Sequence, residues 1–250
     1  MYEPRTYPLP NPQASGVSVS ATLPYLRKVY ALFTGGVVSA IAGGLVALYA
    51  GAPVAVQGRE GALAIPPIVA FGINHYIVMM LVFFGAFYVA TSLRRTPGVN
   101  LVALFAYTFI TGLFIAPSVF FAQLMASHGA SLDASPVRDA FLLTGAAFTG
   151  LTSYVFISKK DFSFLGASLS MGLWVVLGCM LLSFFVHSAA LSLAIASVGV
   201  ILFSGYILYD TSRLLRDPED EPVSAALRLF LDVVNLFVFL LRILSSSRSR

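Results

Sequence analysis

Seven stretches of this 250-residue chain are apolar over about 20 residues or more, the length an α-helix needs to cross a hydrocarbon core of ~30 Å. They run over roughly 29–50, 68–93, 99–126, 138–158, 164–187, 189–212 and 224–244. In lipid a backbone must satisfy its own polar groups, so such stretches are expected as helices rather than open strands. Of the residues, 58% are hydrophobic and only 10% charged, where a soluble domain carries about 25% charged residues. One all-α membrane domain over 25–250 is expected. Residues 1–24, polar and Pro-rich, read as a disordered cytoplasmic tail, and the run after them is too long for a signal-peptide core.

The net charge of +4 does not point to nucleic acid. The basic residues stand at the ends of apolar runs, where they set topology. The single cysteine, Cys179, excludes an intramolecular disulfide framework and reads as a packing residue.

The seventh stretch carries Arg228, Asp232, Asn235 and Arg242. With Phe239 these recur at i, i+4, i+7, i+11 and i+14, one face of a helix. A polar stripe on a spanning helix must face protein or water, which puts this helix at the centre of the other six. Seven spans place ten basic residues on the side of the N-terminus and five on the other. The positive-inside rule then sets the N-terminus in the cytoplasm and the C-terminus outside. A re-entrant last helix would make the tally thirteen to two, so the side of the C-terminus stays open. Gly36, Ala40 and Gly44 form a small-residue ridge on the first helix, suited to close backbone approach.

Asp210, in "GYILYDTSRLL", and Asp232, in "LRLFLDVVNLFVFLLRIL", are the costly residues. Each costs on the order of 2.5–3.5 kcal/mol at a helix centre. Helices six and seven are antiparallel neighbours across a short loop, and at 1.5 Å per residue the two aspartates lie at similar depth. Two carboxyls in contact share a proton and titrate in two steps. Protonated they latch two helices; deprotonated they repel each other and attract a cation. Two carboxylates supply only part of the 6–8 oxygens that Ca²⁺ prefers, so a site there is weak and water-assisted. The spacing equally allows ordinary ion pairs of Asp210 with Arg213 and of Asp232 with Arg228. Tyr206 and Asn235 stand one turn from Asp210 and Asp232 and are candidate second partners. No GxSxG, HExxH, CxxC pair or phosphate loop is present. Asp210 also lacks the GxGD context of intramembrane aspartyl proteases, and no enzymatic activity is expected.

"FISKKDFSFLG" (156–166), "GYILYDTSRLL" (205–215) and "LRLFLDVVNLFVFLLRIL" (227–244) resemble the Bax inhibitor-1 family, also called the transmembrane Bax-inhibitor-motif family. "YLRKVYALFTGGVVSAIAG" (25–43) is similar to the first helix of its bacterial YccA-like branch. The resemblance implies seven helices, six around a central C-terminal one, in a bacterial inner membrane. It also implies a pH-dependent Ca²⁺ leak, with Asp210 and Asp232 as the sensing pair and weak metal site. Arg94 or Arg95 matches the family arginine that helps hold the closed state. Channel-like members with an acidic residue in helix 2 differ from this chain, whose 73–93 has none. Other YccA-like members modulate the membrane protease FtsH, which gives the alternative: a regulatory binding protein for which 1–24 is the handle.

Overall fold

The computed structural model describes residues 19–58, 61–127, 135–186, 188–217 and 221–248. They form α1 (Val19–Tyr49), β1 (Val54–Gly58), β2 (Gly61–Ile65), α2 (Pro67–Asn74), α3 (Tyr76–Ser92), α4 (Val99–Ser127), α5 (Pro136–Ser158), α6 (Leu165–Ser183), α7 (Ala189–Arg216) and α8 (Pro222–Arg248). Five helices, α1 and α4 to α7, are long and apolar enough to cross a membrane, and α2 with α3 makes up to a sixth. Exposed Ile77, Leu81, Tyr88, Ile157, Trp174 and Ile201 show how much apolar surface faces outward. Lipid, not water, suits that surface. α1 begins at Val19, inside the stretch read as the tail; residues 1–18 lie outside the described residues.

Two features depart from the expected helices. The second apolar run breaks at His75, and α2 and α3 meet at 96°. Asn74 and His75 are weak helix formers. The His75 amide still donates to the Phe71 carbonyl at 2.8 Å, and the His75 ring stacks on Phe71 with its Nδ1 3.3 Å from the same oxygen. The connection from α1 to α2 is an antiparallel hairpin, Val54 pairing with Ile65 and Gly58 with Gly61.

α1 and α4 touch backbone to backbone. A Cβ on Gly112 would overlap the carbonyl oxygen of Ala40, and one on Gly43 would overlap that of Phe109. Gly36 adds room for Phe230 of α8. The Gly36/Ala40/Gly44 ridge therefore faces α4 and α8, as small-residue seams do in membranes.

α8 packs against α1, α4, α5 and α7, while α3 lies on α4 and α6 on α7. Its Leu229, Phe230 and Leu236 are fully buried. The polar stripe follows α7 along its length. Asp210 meets Arg228 near one end, Phe239 stacks on Phe203 and fills the space left by Gly199, and Arg242 Nε donates to Ser192 Oγ at 2.7 Å near the other.

Glu221 closes the start of α8. Its carboxylate accepts from the amides of Val223 and Ser224 and from the Ser224 hydroxyl. These amides would otherwise lack partners, and a carboxylate suits the positive end of a helix.

Candidate functional site: a carboxyl pair between α7 and α8

Asp210 sits two turns before the end of α7, and Asp232 lies on the third turn of α8. Each is 5% exposed. The packing of α7 on α8 brings the aspartates together: their carboxyls lie within hydrogen-bonding range of each other. Two carboxyls can bond only through a proton held by one of them, so a contact of this kind has room for one proton. Asp232 Oδ2 is buried and receives no hydrogen bond from a donor among the described residues, consistent with a partner that is itself a carboxyl.

The cation at the pair is Arg228, one turn before Asp232 on α8. Its Nε donates to Asp210 Oδ1 at 3.0 Å. Arg228 thus crosses to α7 while standing one turn from Asp232 on its own helix. Arg213, the i+3 candidate for Asp210, has its Nη2 4.0 Å from Asp217 Oδ2. The site is a pair of buried carboxyls from two helices, with the Arg228 guanidinium against its α7 member. It sits in a poorly solvated environment, where charge interactions are strong and unpaired charge is costly.

The structure sends the other candidate residues elsewhere. Arg94 and Arg95 are exposed on the turn between α3 and α4. The link from this turn to α8 runs through Asn100, whose Nδ2 donates to the Arg94 carbonyl and reaches Glu221 at 3.5 Å. Tyr206 is on the pair's side of α7, but its hydroxyl also faces Ser170 of α6. Asn235 donates to the Leu231 carbonyl of its own helix. The immediate surroundings of Asp210 and Asp232 are thus set by Arg228. Its place on the polar stripe was the signal; its partner could be known only from the packing.

Beside the pair is a second polar group that the sequence did not announce. The hydroxyl of Tyr30, on α1, faces Thr152 of α5 and Thr211 of α7. Thr91, Thr111 and Thr144 spend their hydroxyl protons on carbonyls of their own helices. Thr152 and Thr211 do not, and their buried oxygens turn to Tyr30.

The family model described as "Inhibitor of apoptosis-promoting Bax1" matches residues 23–249. An uncharacterized protein of Campylobacter jejuni is 33% identical over 229 residues, 90% of each chain. Protein lifeguard 4 of Mus musculus is 38% identical over 171 residues, 68% of each chain. A Golgi anti-apoptotic protein of Vaccinia virus is 37% identical over 168 residues, 66% of each. The matched region contains both aspartates, Arg228 and nearly all of the described helices, and the chain belongs to the Bax inhibitor/lifeguard family of membrane proteins.

Proposed function

We propose that the chain is a pH-sensitive calcium leak of a bacterial inner membrane, gated by Asp210 and Asp232. The observation that carries this reading is the pair itself: two buried carboxyls, one from α7 and one from α8, within hydrogen-bonding range. In the closed state a shared proton ties the two helices, and Arg228 occupies the place beside Asp210 that a permeating cation would take. Loss of the proton puts a second negative charge into the contact, and the repulsion favours separation of α7 from α8. Ca²⁺ is then drawn to the freed carboxylates as cargo, completing its coordination with water and backbone oxygens. A site with so few fixed ligands releases the ion readily, which passage requires.

In this reading α8 is the seventh span and stands at the centre, the N-terminus is cytoplasmic and the C-terminus periplasmic. α8 suits that place by its buried Phe230 and Leu236 and by its contacts with α1, α4, α5 and α7. Arg94 and Arg95 act on the closed state through the Asn100–Glu221 link rather than at the pair. Tyr206 and Asn235 brace the helices that carry the aspartates.

The test is Ca²⁺ uptake by liposomes holding the purified chain between about pH 6 and 8, for wild type and Asp210→Asn/Asp232→Asn. Wild-type flux is expected to change with pH, and the double variant to lose that dependence while retaining its fold. Wild-type uptake equal to that of empty liposomes at every pH would sink the leak. The alternative of FtsH modulation would then be tested by binding of that protease with and without residues 1–24.

A further inference from the structure

Where α7 ends, a cavity of about 230 Å³ opens between the α5–α6 connection and the last two turns of the helix. That is several times the ~30 Å³ share of a liquid water molecule. Its walls are Asp161, Ser163, Tyr209, Ser212, Arg213 and Arg216. Two arginines and one aspartate therefore line it together with Ser163 and Tyr209, while the Ser212 hydroxyl donates to the Tyr209 carbonyl. Arg216 is ion-paired with Asp161 and keeps a side chain 36% exposed. A guanidinium has five N–H donors, so this bond leaves others for a second oxyanion. Arg213 and Asp217 are at the limit of an ion pair, and both remain substantially exposed. Asp161 Oδ1 also accepts from the Ser163 amide, which folds the connection over the cavity. The Tyr209 ring lies against Gly166 at the start of α6, where a Cβ would come 3.3 Å from its hydroxyl. That contact fixes the hydroxyl at the rim.

The position matters as much as the composition. The apolar stretch of α7 stops at Arg213, and Lys159 and Lys160 stand at the same end of the bundle on the α5–α6 connection. Forked guanidiniums and hydroxyls at a membrane surface match the oxygens of a phosphate group. Basic pockets between helices at such a surface take headgroups.

We propose that this cavity binds a phosphate oxyanion, carried either by an anionic lipid headgroup or by free phosphate. Arg213 and Arg216 supply the charge; Tyr209 and Ser163 supply hydroxyl donors. Asp161 is the internal carboxylate with which the phosphate shares Arg216. Tyr209, Ser212 and Arg213 surround Asp210 in the chain, so the bound anion sits at the end of the helix that carries the carboxyl pair. The site stands independently of the leak.

The experiment uses the full chain in nanodiscs of mixed phosphatidylcholine and phosphatidylglycerol. Lipids retained on release are counted by native mass spectrometry, and inorganic phosphate binding is followed in phosphatidylcholine discs by ³¹P line broadening. Wild type is expected to retain phosphatidylglycerol preferentially, with the preference falling about fivefold for each arginine lost in Arg213→Gln/Arg216→Gln. Asp161→Asn, which removes the competing carboxylate, is expected to raise retention, a direction that poor folding would not produce. Line broadening by wild type that is lost in the arginine variant, without lipid preference, assigns the site to free phosphate. Equal lipid retention and equal broadening in wild type and the arginine variant would overturn the proposal, as would reduced binding in Asp161→Asn.

Discussion

At the scale of single residues, Arg228 carries the most consequence for its size. Its guanidinium and Asp210 hold each other in a half-dry contact between two helices, and removal of one partner leaves the other buried with its charge uncompensated. Arg228→Gln is expected to destabilise the protein by roughly 2–4 kcal/mol, toward the low end because the guanidinium is partly exposed. Asp210→Asn in the same chain should recover part of that loss. Thermal unfolding in detergent across the four members of the cycle measures the coupling, expected at about 1–3 kcal/mol. Additive losses would show that the pair contributes no coupling. The sequence made both aspartates conspicuous, because a carboxylate in an apolar helix needs a reason. It left the partner of Arg228 undetermined: Asp232 at i+4 was one candidate, and Asp210, eighteen positions back, becomes the partner only when α7 lies antiparallel on α8. The same holds for Tyr30, Thr152 and Thr211, three residues with no spacing relation that one junction of helices brings together.

At the scale of elements, the α1–α4 crossing depends on glycines that admit backbone on both sides. Gly112 meets the Ala40 carbonyl and, at 2.8 Å from an added Cβ, the Gly44 nitrogen. Backbone cannot swing aside as a side chain tip can. Gly112→Ala is therefore expected to cost about 2–3 kcal/mol. Gly178→Ala on α6, where a Cβ meets nothing within 4 Å, should be neutral or gain about 0.5–1 kcal/mol from helix propensity. Midpoints of thermal unfolding for the two variants make the comparison, and similar shifts would contradict the close crossing. The small-residue ridge of α1 and the stripe of α8 were legible because both follow helical spacing. The break at His75 and the hairpin at 54–65 were not read. Hydropathy is uniform across the first, and a hydropathy window merges the second into a connection. Their marks are local: Asn74 and His75 at the bend, and Val54 and Val56 alternating ahead of the Gly58–Gly61 turn.

At the scale of the whole molecule, α8 decides the topology. Its 27 residues reach about 40 Å, and its polar contacts run from Asp210 to Ser192, most of the length of α7. A spanning α8 carries the C-terminus to the side of the β-hairpin. In a Cys179→Ser background, single cysteines at Ser163 and Ser246 are expected to react with an impermeant thiol reagent from opposite faces of sealed vesicles. Reaction from the same face would mean a re-entrant α8, the arrangement that basic-residue counting alone favours. The bend at His75 gives the molecule a further asymmetry. α3 has only 17 residues, about 25 Å of helix, because the run bends by 96° where α2 meets it. The hydrocarbon core of a typical bilayer is ~30 Å thick, so the flank formed by α3 is shorter than the lipid it borders. A short flank is met either by thinner lipid or by flanking side chains that reach to the interface. Bilayer thickness thereby becomes a variable to which the conformations of this flank can respond.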